Sequence, residues 1–170
     1  MILHLSHALA KRLKCKFSFP GDMISQTRRM DSWSADIFRI PRIGSGIIVM
    51  HDASLWPIIL PLAGCKRYED FLQALLFHIE ASYLSVGGRF DRSNLTVIAT
   101  KRSNRSIIGS MNEAKFLLGH HVGGMMDASG EVDWAAARDR LAQTPFTAVE
   151  GHFPDERFAR LAVEEIRGDE

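Results

Sequence analysis

The residues best suited to chemistry form a short basic and polar stretch, KRSNRS, at positions 101–106. This stretch lies between a predicted strand and a predicted helix. A helix start offers unpaired backbone N–H groups and the positive end of the helix dipole, and arginines there could add bidentate contacts to a phosphate or carboxylate. The pattern therefore predicts an anion site whose candidates are Arg102, Asn104, Arg105, Ser106, Ser110 and Asn112.

The same residues also have a purely structural explanation. Ser103, Asn104 and Ser110 are of the types that cap helices, so local hydrogen bonds can occupy their polar groups. Capping is common enough that this explanation is favoured over an anion site. For Arg105 we expect a buried position and a carboxylate partner rather than a ligand.

A second candidate group combines three aspartates with a tryptophan on neighbouring predicted strands. Two carboxylates that lie close together can bind a hard cation or carry out general acid–base catalysis. Nothing in the spacing fixes that geometry, and turn-forming aspartates with a core tryptophan explain the residues more simply. The members of this group are Asp31, Trp33, Asp36 and Asp52.

Motifs for metal binding and covalent catalysis are absent from the sequence. His4 and His7 are three positions apart, but no cysteine or carboxylate stands at zinc-ligand spacing and no HExxH motif occurs. Ser54 has no base that the sequence can assign to it, and no nucleophile elbow or phosphate-binding loop is found. We therefore predict neither a metal nor a cofactor.

Composition places the chain among ordinary globular proteins. Of its 170 residues, 46% are hydrophobic and 24% are charged, and the net charge is +1. This length suits one domain with a sizeable core. No apolar run is long enough to cross a bilayer, and Cys15 and Cys65 form no CxxC pair. These features favour a cytoplasmic protein without disulfides or a membrane partner.

The small net charge hides an uneven distribution along the chain. The last twenty-one residues are acidic, whereas the first thirty hold one aspartate against Lys11, Arg12, Lys14, Lys16, Arg28 and Arg29. A basic helical face near the start could contact nucleic acid. Solvation of surface charge explains it more simply, since no interleaved aromatic residues strengthen the case.

Hydrophobic periodicity predicts the elements that must position these residues. Strands are predicted at 1–5, 33–40, 47–50, 56–62 and 95–100, with a hairpin turn at the glycines of 44–46. Helices are predicted after Ser6, at 68–84, after Asp133 and from Pro154 onward. A further helix is predicted around 107–122, and the sequence leaves its start open between Ser103, Asn104 and Ser110. The buried face of the longest helix is predicted to hold Tyr68, Leu72, Leu75, Leu76, Ile79 and Tyr83.

This order of elements predicts one α+β domain over residues 1–170, a small mixed and largely antiparallel sheet packed with helices. Three segments then carry a family resemblance: DSWSADIFR at 31–39, DASLW at 52–56 and NRSIIGSMN at 104–112. With 140–146 and 154–161, they resemble a family of small bacterial proteins of unknown function across nearly the whole chain. Related segments are similar to the front part of some plasmid-borne proteins. The resemblance implies a bacterial cytosolic setting and no particular activity.

Three functions are compatible with these observations. The favoured one is a binding or interaction module of a bacterial mobile element or defence system, because catalytic motifs are absent and the charge is asymmetric. An enzyme acting on a nucleotide or other phosphorylated substrate would need Arg105 to converge with Asp31, Asp36 or Asp52 on one pocket. A structural homodimer could form through an open sheet edge.

Overall fold

A computed structural model describes residues 1–18, 29–41, 43–93, 95–126, 132–146 and 153–168. Within these ranges the strands are β1 (Ile2–Leu5), β2 (Ser32–Ile40), β3 (Gly44–His51), β4 (Pro57–Pro61) and β5 (Ile98–Lys101). The helices are α1 (His7–Leu13), α2 (Tyr68–Ser85), α3 (Arg105–His121), α4 (Trp134–Ala142) and α5 (Pro154–Gly168). All five strands belong to one mixed sheet. The predicted α+β fold is confirmed.

The first strand lies inside the sheet, whose order is β4–β3–β2–β1–β5. It pairs in parallel with β2 on one side and with β5 on the other. The strands β2, β3 and β4 form an antiparallel meander. In this register His4 stands between Ser34 and Thr100. Because register partners project to the same side, these three side chains share one face of the sheet.

Helices cover both faces of the sheet. On one face, α1, α2 and α5 enclose an apolar core that includes Trp33, Leu75 and Phe158. On the other face, α3 and α4 pack over a second core that includes Met50 and Met111. The continuous apolar run in β3 is buried on both sides, as a strand sandwiched between two helical layers requires.

The hairpin between β2 and β3 turns earlier than predicted. Ile40 already pairs with Gly44, and the N–H of Ile43 donates to the carbonyl of Ile40 at 3.2 Å, so the glycines begin β3. Gly46 suits the position where the strands pair, because a Cβ on it would collide with the ring of Phe38 and would lie 3.0 Å from the carbonyl oxygen of Leu60. The prediction was wrong because glycine marks turns and close backbone approaches alike.

The predicted helix starts agree with the structure. Ser6 caps α1 through its hydroxyl, Asn104 caps α3, and Asp133 caps α4. The final helix begins at Pro154 as expected. The sequence also predicts a polar loop from the Phe-Pro-Gly break at 19–21 through residue 29, and most of it lies outside the described residues. Caps were predictable because they depend on a few neighbouring residues.

The edges of the sheet offer no long exposed strand in the described part of the chain. β4 begins and ends with proline, and its first four residues are buried with α4 packed against them. On the outer side of β5, the N–H of Ser18 donates to the carbonyl of Ala99 at 2.8 Å. An edge-to-edge homodimer therefore has little free backbone to use.

Two further properties bear on function. Cys15 is half-buried and Cys65 is buried, and both are free thiols. None of the described helices has the length and apolar character needed to cross a membrane.

Candidate functional site

An ionic cluster is centred on Asp36 of β2. Its Oδ2 accepts a hydrogen bond from Arg102 Nη2 at 2.8 Å and another from Lys115 Nζ at 2.5 Å. Its Oδ1 accepts from the backbone N–H of Ile37 at 2.8 Å. The side chain of Arg102 is 11% exposed and that of Lys115 is 22% exposed. A carboxylate held by this many donors is a structural anchor rather than a free general base.

The ionisation of Asp36 follows from opposing influences. Burial, the largest single one, acts to raise the pKa of Asp36. Hydrogen bonds from Lys115 and Ser6, with the charges of Lys115 and Arg102, outweigh it and bring the pKa below its usual value. Asp36 is therefore charged at neutral pH. Since Ser6 also caps α1, this one carboxylate joins β2 to α1, to the segment after β5 and to α3.

The predicted anion site at the start of α3 is largely occupied by the protein itself. Arg102 turns inward to Asp36, and its Nη1 lies 3.0 Å from the sulfur of Met111. Asn104 Oδ1 accepts from the backbone N–H groups of Ser106 and Ile107. These are the donors that an anion at the helix start would need. The capping explanation therefore describes Asn104 correctly.

The remaining anion candidates do not converge either. Ser110 is buried and donates to the carbonyl of Ser106 at 3.2 Å, while Asn112 is exposed further along α3. Arg105 is exposed and has no ion pair in the described residues, so the expectation that it is buried and paired is wrong. The helix directs Ile107 into the core, and a residue two positions earlier faces away from it. Arg102 has the structural role that the sequence assigned to Arg105.

The second predicted group separates in the structure. Trp33 lies in the apolar core with its ring centroid 4.9 Å from that of His51, and Asp31 is half-exposed in the turn before β2. Asp52 accepts a hydrogen bond from Ser32 Oγ at 2.6 Å. Ser32 lies four residues, about 13 Å, along β2 from Asp36. These residues do not form one site. The convergence of Arg105 with an aspartate, which the enzyme hypothesis required, is not seen among them.

A second polar cluster spans three strands on the face shared with α3. Thr100 Oγ1 lies 2.7 Å from His4 Nδ1, and His4 Nε2 lies 3.7 Å from Asp52 Oδ2. We name this group the His4 cluster; it comprises His4, Ser32, Ser34, Asp52 and Thr100. Sequence reasoning identified only Asp52, because the pairing of β1 with β5 joins residues that lie almost a hundred positions apart. The available signal was a polar residue among the apolar residues of each of two short strands, His4 in β1 and Thr100 in β5.

The structure assigns a neighbour to Ser54 that the sequence did not reveal. Ser54 Oγ lies 2.7 Å from His51 Nδ1, and the backbone N–H of Ser54 is 3.2 Å from the same nitrogen. Both residues are completely buried, and Phe158 packs against the imidazole with ring centroids 5.8 Å apart. The pair stabilises the turn between β3 and β4 and is closed to substrates.

A basic surface lies along the β5 side of the sheet. Segments 1–18 and 95–112 contain no acidic residue, and the pairing of β1 with β5 brings them together. The hydrogen bond from Ser18 to Ala99 fixes the end of the first segment beside the second. We define this basic surface by the exposed cations within four residues of that hydrogen bond, which have no ion pair in the described chain: Lys14, Lys16 and Lys101. Lys11 and Arg12 lie on α1 and Arg105 lies on α3, and these two helices cover opposite faces of the sheet.

One aromatic ring accompanies these charges. Phe17 is 37% exposed and follows Lys16 directly. The sequence alone did not indicate it as part of a basic surface, because the segment after α1 could equally have been covered by the rest of the chain.

Together, the fold and these clusters define an α+β domain with a structural ionic cluster in its interior and a basic surface at one side of its sheet. Residues 2–157 match the model of a family described as a domain of unknown function, DUF6933, and the chain belongs to that family. The resemblance to a family of unknown function is thereby confirmed over nearly the whole chain. No curated protein and no solved structure matches this chain.

Proposed function

We propose that this protein is a binding module for single-stranded nucleic acid. The observation that carries the proposal is the basic surface, in which two acid-free segments from distant parts of the sequence lie side by side. The net charge of the chain is only +1, so attraction to a polyanion would be local to this surface.

The chemistry of the surface favours single strands over duplexes. Lysine and arginine neutralise backbone phosphates and release counterions, which gives affinity without sequence preference. An exposed aromatic ring adds stacking with an unpaired base, and Phe17 stands directly beside Lys16. Bases in a duplex are already stacked on each other, so Phe17 contributes only when the bases are free.

Charge reversal at this surface is expected to weaken binding strongly. The variant Lys14→Glu/Lys16→Glu should bind a short single-stranded DNA at least about tenfold more weakly at low salt, because two phosphate contacts become repulsive. Phe17→Ala should lose about 1–3 kcal/mol for single strands and almost nothing for duplex DNA. Fluorescence anisotropy over a series of salt concentrations measures both effects.

Arg140→Glu provides the matched control, since Arg140 is an exposed cation on α4, which packs against β4 at the opposite edge of the sheet from β5. It should leave the affinity unchanged. Equal binding by the wild type and the double variant contradicts the proposal. So does a wild type that binds anionic lipid vesicles but no oligonucleotide.

The setting that we propose is the bacterial cytoplasm, with a role as an accessory protein of a mobile element or a defence system. The segments whose sequence resembles the front part of plasmid-borne proteins are our reason for proposing this setting. A nucleic-acid partner fits it, because such systems act on foreign or replicating DNA and RNA. Catalysis on a phosphorylated substrate is a weaker alternative, since Arg105 and Asp36 face different places.

We propose self-association through the outer face of α2 as a second function. Phe77 and Leu84 are 63% and 66% exposed there, and Ala81 is exposed between them. Seven residues separate the two large side chains, about 10.5 Å along one side of the helix. A twofold axis near Ala81 would therefore place Phe77 of each copy opposite Leu84 of the other. The exposed Glu69 in the first turn and Arg89 beyond the last turn favour the same antiparallel arrangement by charge.

Removal of both apolar side chains is expected to abolish self-association. Phe77→Ser/Leu84→Ser should sediment as a monomer at concentrations where the wild type forms dimers, because the apolar contact is lost. Phe116→Ser is the matched control, since Phe116 is also 66% exposed but lies on α3. A wild type that stays monomeric at all concentrations excludes this second function.

A further inference from the structure

The His4 cluster contains polar atoms that the described protein leaves without partners. Ser34 is completely buried, and its Oγ has no hydrogen-bond partner. Asp52 Oδ1 is also buried without a partner, although Oδ2 of the same carboxylate accepts from Ser32. Buried polar groups are almost always satisfied, and an exception calls for a bound water, ion or ligand. Both atoms belong to the neighbourhood of His4, because Ser34 is its partner in the β1–β2 register.

The spacing of the imidazole and the carboxylate suits a shared metal ion. His4 Nε2 and Asp52 Oδ2 are 3.7 Å apart, which is too long for a direct hydrogen bond. Two ligand atoms held at about 2.0–2.2 Å from a zinc-type ion at a tetrahedral angle lie roughly 3.3–3.6 Å apart. A displacement of a few tenths of an ångström would therefore let one ion bind both atoms. The side chain of His4 is 28% exposed, so an ion can enter from solvent.

The surrounding hydroxyl groups hold both ligands in the required form. Thr100 Oγ1 lies 2.7 Å from His4 Nδ1 and can accept the proton of that nitrogen. The lone pair of the imidazole is then on Nε2, on the side of Asp52. Ser32 Oγ donates to the Asp52 carboxylate at 2.6 Å and orients it. Metal-binding histidines and carboxylates in proteins are usually supported by such outer partners.

We propose that the His4 cluster binds a divalent transition-metal ion of the zinc type, with His4 Nε2 and the Asp52 carboxylate as protein ligands. Among the described residues, no group of three or more histidine, cysteine or acidic side chains could hold a metal. The site thus supplies two protein ligands and leaves the other coordination positions to water or to an incoming ligand. This open arrangement implies modest affinity and an ion that can exchange. The inference is independent of the basic surface and reverses our expectation of no metal.

Titration of the full-length chain with Co²⁺ tests the proposal, with visible absorption to follow coordination and calorimetry with Zn²⁺ to give affinity. The wild type is expected to bind one ion per chain. His4→Gln and Asp52→Asn should each lower the affinity by at least about tenfold, because each removes one of two ligands. Thr100→Val should lower it about 10–100-fold by releasing the imidazole from its supporting contact. Circular dichroism establishes that each variant is folded.

His7→Gln is the matched control, because His7 is an exposed histidine only three positions from His4. It should bind Co²⁺ like the wild type. A second measurement uses the unmodified chain: Co²⁺ should broaden NMR signals of β1 and β5 selectively. The proposal is overturned if the wild type shows no saturable Co²⁺ binding, if His4→Gln binds as tightly as the wild type, or if broadening spares β1.

Discussion

Replacement of Leu75 by alanine is expected to lower the free energy of unfolding by about 2–5 kcal/mol. Leu75 is 0% exposed on the inner face of α2, within the core that also holds Phe71 and Ile79. The substitution removes buried methyl groups and leaves a cavity that a helix packed against a sheet cannot easily close. Urea denaturation followed by circular dichroism measures the change.

Leu84→Ala makes the same chemical change on the same helix and provides the control. Leu84 faces solvent, so its replacement should alter stability by less than about 0.5 kcal/mol when protein is dilute enough to prevent association. Leu76→Ala should fall between the two, because Leu76 is only partly buried. Equal unfolding midpoints for Leu75→Ala and Leu84→Ala would show that the inner face of α2 is not as described.

Asp36→Asn is expected to destabilise the protein by about 3 kcal/mol. It removes the carboxylate that pairs with both Arg102 and Lys115, whose side chains are mostly buried. We expect the lower end of the usual range because Lys115 is 22% exposed and can turn partly toward water. Glu80→Ala is the control: Glu80 pairs with Arg92 at the surface, and such pairs contribute no more than about 1 kcal/mol. Similar losses in the two variants would contradict a structural role for Asp36.

Acid should reduce the difference between the wild type and Asp36→Asn. The pKa of Asp36 lies below its usual value of 3.8 in the folded state, so ionised Asp36 stabilises the fold at higher pH. That contribution is complete above the unfolded pKa and is lost as the pH falls through the folded one. The unfolding curves of the wild type and Asp36→Asn should therefore differ at neutral pH and approach each other as the pH falls below 3.8. A constant difference down to the lowest pH would show that the charge of Asp36 is not responsible.

Predictions from the sequence succeeded where a few neighbouring residues determine the structure. The caps at Ser6, Asn104 and Asp133 are examples, since each depends on one side chain and the next turn of backbone. The inner face of α2 was largely predictable from its spacing, although Phe71 and Ser82 were missed as buried members. The buried part of β3 was recognisable from the uninterrupted run of apolar residues at 47–50.

The candidate sites were less predictable because they depend on strand pairing. Arg102 and Asp36 appeared in two separate groups, yet they meet in one ion pair. Lys115 was not considered at all, and neither were the contacts of His4 with Thr100 and Asp52. No local signal reveals that β1 accepts β5 as its second neighbour. The exposed position of Arg105 likewise depends on how α3 is rotated against the sheet.

The position of β1 inside the sheet has a consequence for the synthesis of the chain on the ribosome. This strand precedes the other strands in the chain and can pair with β2 once the residues up to Ile40 have been made, but its other neighbour begins only at Ile98. Until then the backbone of β1 has one unsatisfied side, which any extended polypeptide nearby can pair with. Arg102 and Lys115, which neutralise Asp36, arrive later still. The nascent domain therefore cannot reach its stable form until the chain has been translated past Lys115, and it depends during that time on contacts of high sequence separation.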